Sequence, residues 1–214
     1  LKQELPSTVQ LVAVSKYKPL EAILEAYGAG QRAFGENRPQ ELASKARQLP
    51  SDIEWHQIGH LQTNKVKLVI PYVAMIESID SERLLAEVSK AALAAGRRVD
   101  VLLEVHIASE ASKQGFTAGE ALELAGRIGD YPGVRLRGVM GMASFTDDFE
   151  QVRREFRSLK SLSRELSGIE GCDQVSMGMS QDWRLAVEEG TTIVRIGTSI
   201  FGPRDYAAKQ KQQE

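Results

Sequence analysis

Apolar positions along this chain fall into two alternating rhythms. Short runs of buried-type, often β-branched residues recur: QLVAVSK (10–16), RAFGEN (32–37), IEWHQIG (53–59), VAMIESI (73–79), VDVLLEVHI (99–107), VRLRGVMGMA (134–143), QVSMGM (174–179) and TTIVRIGTSIFG (191–202). Runs of this length and composition predict strands covered on both faces, as in a parallel sheet. Between them the apolar spacing widens to the helical period, in LEAILEAYGAG (20–30), PQELASKARQL (39–49), LQTNKVKLVI (61–70), SERLLAEVSKAALAAG (81–96), TAGEALELAGRIGDY (117–131), DDFEQVRREFRSLKSLSREL (147–166) and SQDWRLAVEEG (180–190). The punctuation agrees with this reading. Pro39 opens a first turn, Ser81 is placed to cap, and Gly28, Gly30 and Gly96 follow helix ends.

Eight strands, each followed by a helix except the last, predict parallel pairing with helical crossovers. The fold class is therefore α/β, a single (β/α)8 TIM barrel, with an open doubly wound sheet as the alternative. The successor of the last strand is expected to be the polar tail PRDYAAKQKQQE. No linker or change of composition divides the chain, so residues 1–214 are expected to form one domain.

Composition narrows the function. A hydrophobic content of 42% supplies one sizeable core, and a formal net charge of -2 gives no drive toward nucleic acid or an anionic membrane. No apolar run reaches the roughly 20 residues of a membrane span. Cys172 is the only cysteine, which excludes an internal disulfide and a cysteine zinc cluster, and a cytoplasmic location is the natural expectation. The charged helix around residues 150–165 is expected to be solvated, compatible with a monomer.

Two motifs mislead. GAGQRA (28–33) matches a dinucleotide fingerprint, yet it closes a helix and leads into a strand, the reverse of what that motif requires. HQIGH (56–60) sets His56 and His60 four apart, but a strand ends between them and no metalloprotease glutamate is present, so histidines lining or flanking a strand end are the better reading.

Three other stretches carry chemistry. Lys16 ends the first strand, as either a surface lysine or an amine at a barrel mouth poised for covalent work. In SMGMSQDW, Ser180 stands where a helix begins, either as a simple N-cap or as part of an anion site. Arg195 interrupts the apolar strand VRI and demands an acceptor inside the barrel, while Gly197 and Thr198 follow it. The loops after strands seven and eight of such barrels frequently bind phosphate. A ligand with an aldehyde, an aromatic nitrogen and a phosphate would satisfy all three stretches. Pyridoxal 5′-phosphate is that ligand, held as a Schiff base on Lys16. A Schiff-base aldolase acting on a phosphosugar would use Lys16 and the phosphate cup, but it leaves Arg195 unexplained.

Taken in order, LVAVSK, FGEN, WHQIGHLQTNK, IESIDS, GVMGMAS, SMGMSQDW and VRIGTSIFG resemble the pyridoxal phosphate homeostasis protein family, from about Val9 to Gly202. Members of that family look like the barrel domain of alanine racemase standing alone. The resemblance implies that Lys16 carries the cofactor and that Arg195 faces the pyridine nitrogen. It further implies that Ser180, Gly197 and Thr198 hold the phosphate, with Asn37 and Met142 beside the ring. Tyr17 and Lys18 depart from the pattern, since small polar residues are frequent there. A non-catalytic binder that stores pyridoxal phosphate or delivers it to apo-enzymes is the implied function. An amino-acid racemase is the alternative. Alanine racemase needs a second acid/base tyrosine from another domain, for which the tail after the eighth strand is expected to leave no room. Losing such a partner typically costs ~10²–10⁴-fold in rate.

Overall fold

A computed structural model describes residues 4–109 and 114–202. The order of elements is β1 (Gln10–Val14), α1 (Leu20–Gly28), β2 (Ala33–Glu36), α2 (Pro39–Ala46), β3 (Glu54–Gln57), α3 (Val66–Val69), β4 (Val73–Ile79), α4 (Glu82–Ala94), β5 (Val99–Glu104), α5 (Ala118–Gly126), β6 (Val134–Met140), α6 (Phe149–Glu165), β7 (Gln174–Ser176), α7 (Trp183–Glu188), β8 (Ile193–Ile196) and α8 (Thr198–Phe201). Short 3₁₀ turns precede α3 and follow α5 and α6. All neighbouring strands pair in parallel, and β1 pairs with β8, so the sheet closes on itself. This is the expected (β/α)8 barrel.

Strand alternation sorts the side chains into two cores. The larger lies between strands and helices and takes Ala13, Phe34, Trp55, Val101, Leu103, Val139 and Val175 from the strands. A separate cluster of Val12, Ala33, Met75, Leu102, Met140 and Ile193 collects the opposite faces of six strands. One step further along the same faces come His56, Glu77, Ser176 and Arg195, all buried. The interior thus changes from apolar to polar toward the ends of the strands where the βα loops begin, the catalytic face of such barrels.

Several helix limits follow the expected punctuation. Pro39 opens α2, Ser81 Oγ accepts from the Leu84 amide, and Thr117 and Glu120 form a reciprocal capping box on α5. Gly28 ends α1 and leads through Gly30, at φ +89°, to β2, as expected of GAGQRA. Two expectations need correction. The last strand stops at Ile196, and 198–201 form α8, because the apolar run gives way to Gly-Thr-Ser just where the chain leaves the buried sheet. The first helical residue of α7 is Trp183 rather than a residue next to Ser180. The polar tail, residues 203–214, lies outside the described residues.

Candidate functional site

A cavity of about 580 Å³ opens at the loop end of the barrel, within the range of roughly 300–1,000 Å³ common for small-molecule sites. Lys16, Asn37, Met142, Ser180, Arg195, Gly197 and Thr198 all line it. Residues far apart in the chain converge here because every strand of a parallel barrel ends at the same rim. Met142, Phe145, Phe149 and Met179 are exposed along its wall, Phe145 at 85%.

Lys16 directly follows the outward-facing Ser15, so alternation sends its side chain toward the barrel mouth. Arg195 is 4% exposed and finds the acceptors that its burial requires. Its Nη1 donates to Ser176 Oγ and lies 3.7 Å from Glu77 Oε2, while Nη2 donates to the Gly141 carbonyl at 3.1 Å. Behind it, Ser176 Oγ donates to Glu77 Oε2 at 2.5 Å, and His56 Nδ1 sits 2.6 Å from Glu77 Oε1. Four strands thus share one buried polar network.

The charges in it are unequal in consequence. Burial pushes the Glu77 carboxyl up, but hydrogen bonding and attraction from His56, the Arg195 charge and the Ser176 hydroxyl prevail and hold it below the usual range. Burial draws the Arg195 pKa down, opposed by Glu77, Glu104 and Asp182. A guanidinium stays protonated and only donates. Glu104, at the end of β5, is pushed up to about 7, first by burial and then by Asp80, with Arg195 and His60 acting against the rise.

A carboxyl raised by folding stabilises the protein at low pH, and that contribution disappears as pH climbs through its folded value. A rise from 4.5 to about 7 corresponds to about 3 kcal/mol once Glu104 is ionised. Thermal melts should therefore show wild type losing ground to Glu104→Gln between about pH 5 and pH 8. A difference in Tm that stays flat across that interval would show that the carboxyl titrates normally.

The reading of Ser180 as a helix cap does not hold. Asp182 occupies the N-cap of α7, and its Oδ1 accepts from the Met179 amide at 2.6 Å. Gly178, at φ +97°, turns the chain out of β7, and a Cβ there would meet the Ala186 Cβ at 2.6 Å. Ser180 is left in the turn on the cavity wall. Among the described residues, no group of three or more His, Cys, Asp or Glu is disposed to hold a metal ion. His56 is committed to Glu77, and His60 lies 2.7 Å from Asp80.

Pyridoxal phosphate can be tested against this wall directly. Asn37 Oδ1 is buried and accepts no hydrogen bond among the described residues, an acceptor suited to a ligand hydroxyl. The amine of Lys16, the guanidinium of Arg195 and the hydroxyls of Ser180 and Thr198 form a cationic, donor-rich set for an anionic aldehyde. The residues fit. Sequence reasoning missed Glu77 and Ser176, and it placed His56 at a strand end without its partner Glu77. The glutamate inside VAMIESI was the available signal, since a charge within an apolar strand requires a partner as Arg195 does.

Comparison with known proteins adds four observations. Residues 1–205 match the alanine racemase N-terminal domain family. The chain is 44% identical over 208 residues to the pyridoxal phosphate homeostasis protein of Vibrio alginolyticus, covering 94% of this chain and 89% of that one. It superposes with a TM-score of 0.85 and 35% identity on PipY of Synechococcus elongatus, solved with pyridoxal phosphate bound, over 94% of this chain and 96% of that one. Alanine racemase of Clostridium difficile shares the fold at a TM-score of 0.81 and 14% identity, over 95% of this chain and 55% of that one.

Proposed function

The chain belongs to the pyridoxal phosphate homeostasis protein family and carries the alanine racemase N-terminal domain, and from that premise we propose that it binds pyridoxal 5′-phosphate as a carrier rather than as an enzyme. The observation that carries the reading is the convergence of Lys16 and Arg195 on one cavity. When bound, the cofactor supplies an electrophilic aldehyde and an electron-withdrawing pyridine ring. Lys16 Nζ would hold the aldehyde carbon covalently. Ser180 and Thr198 hydroxyls, with the backbone at Gly197, would hold the phosphate, and Asn37 and Met142 would flank the ring.

Arg195 would face the ring nitrogen. Because it only donates, that nitrogen must accept and remain unprotonated, which weakens the ring as an electron sink. Glu77 and Ser176 keep the guanidinium aimed and charged. An arginine so placed favours holding the cofactor over activating a substrate on it. Delivery to pyridoxal-phosphate-dependent apo-enzymes is part of the proposal, supported by the exposed Met142, Phe145 and Phe149 along the cavity wall. A monomer acting in the cytoplasm completes it. Helix α6 buries Val152, Phe156, Leu159 and Leu162 and presents a polar outer face, and Cys172 is free and buried.

The test separates carrier from racemase. The loaded protein should exchange the α-proton of L- or D-alanine in deuterated water no faster than free pyridoxal phosphate does. It should restore activity to an apo-aminotransferase. Exchange abolished by Lys16→Ala would make it a racemase, and failure to restore the apo-enzyme would remove delivery.

A further inference from the structure

Outside the barrel wall, behind Lys16, lies a second buried charged cluster that the cavity does not use. Glu36 is the outward-facing last residue of β2, and Glu41 and Lys45 sit one turn apart on α2. Lys45 Nζ donates to Glu36 Oε1 at 2.8 Å, to Glu41 Oε1 at 2.6 Å and to the Ser15 carbonyl at 2.8 Å. Ser15 Oγ donates to Glu36 Oε1 at 2.6 Å. The Tyr17 amide donates to Glu41 Oε1 at 2.7 Å. Every one of these bonds to the chain lands on the residue before or the residue after Lys16.

The turn that they hold is an unfavourable one. Tyr17 sits at φ +62°, and among the described residues it is the one non-glycine at positive φ. Such a conformation persists only where its surroundings over-determine it. The Arg38 guanidinium, 4.9 Å from the Tyr17 ring, adds a contact from the same side. Burying three ionisable groups is poor packing strategy by itself, because apolar residues of equal volume would serve a core as well or better.

We propose that the Glu36–Lys45–Glu41 cluster is a positioning device for Lys16, fixing the Ser15–Tyr17 turn from outside the barrel so that the amine projects into the cavity. The proposal rests on the reading that Lys16 carries the cofactor. A four-carbon side chain anchored to a rigid turn reaches a bound aldehyde in far more of its conformations than one on a loose loop. Burial pushes the Glu36 carboxyl up to about 7 against the pull of Lys45, as expected of a cluster shut off from water.

Amide exchange in the unloaded full chain and trapping of pyridoxal phosphate with borohydride, counted by intact mass, together test this. Glu41→Ala should speed exchange of the Tyr17 amide and slow attachment at Lys16, each about ten-fold, because it removes a charge-assisted bond. Glu41→Gln keeps an acceptor and should restore both, with circular dichroism unchanged. Ser15→Ala is the milder second variant, with a smaller slowing of attachment, read in place of Glu41→Ala if that variant does not fold. Faster exchange with unaltered attachment, or unaltered exchange, overturns the proposal. Attachment persisting in Lys16→Ala instead sinks the cofactor reading, and the exchange data still report on the turn.

Discussion

Replacing Lys16 with alanine is expected to abolish covalent retention of pyridoxal phosphate while leaving the barrel intact. Lys16 lines the cavity from the turn after β1, and its side chain is not part of either buried core. Removing it therefore costs little packing. Retention has much more to lose, because the remaining contacts proposed for the cofactor, from Arg195, Ser180 and Thr198, would be hydrogen bonds and charge pairing alone. Each bond to a charged group contributes about 1.5–3 kcal/mol, enough for reversible binding but not for survival of a denaturing wash. After borohydride treatment, intact mass should show the adduct in wild type and none in Lys16→Ala, with the two Tm values close together. An undiminished adduct in the variant would place the attachment elsewhere, with Lys18, on the same cavity wall, the first place to look.

The second large effect concerns stability. Glu77→Leu removes the carboxylate that faces Arg195, accepts from Ser176 and pairs with His56, all inside the barrel. Removing the partner from a buried ion pair costs about 3–5 kcal/mol, because the charge left behind has lost its nearest counter-charge. For a chain of this size that corresponds to a drop in Tm of about 10 °C. Combining Glu77→Leu with Arg195→Met should recover much of the loss, since the stranded charge is then gone. Chemical denaturation of both single variants and the double variant measures this directly. Additive losses would mean that the two residues are not energetically coupled, and that Arg195 is held by Ser176 and the Gly141 carbonyl instead.

These two residues also mark the boundary between what could be read from the sequence and what could not. Lys16 at the end of an apolar run, and Arg195 within one, are local anomalies. Each violates the pattern of its own strand, so each is visible without any partner being known. The same holds for the eight alternating units, whose short and long apolar periods dictate parallel strands and crossover helices. From those facts alone the barrel and its loop face follow, and with them the meeting of residues 16, 180, 195, 197 and 198 at one rim.

Partnerships across the barrel are another matter. Glu77 and Ser176 are 99 residues apart, and nothing in either strand specifies the other. Their meeting depends on closure through the β1–β8 pair and on the register shift between Ile76 and Ile79 against β5. The identity of the cap on α7 was settled by a similar effect. Ser180 and Asp182 are both good capping types; after the turn at Gly178 it is Asp182 that stands at the N-cap position, where its carboxylate accepts from the preceding Met179 amide rather than from a helical one. Tyr17 is the same case in miniature, a residue with no preference for positive φ, held there by Glu41 across 24 positions of sequence. The chain's own periodicity determined its strands, its crossovers and the side chains that could not be left alone. Which groups answer them was decided only in three dimensions, because hydrogen bonds and ion pairs act over a few ångströms of space and take no account of distance along the chain.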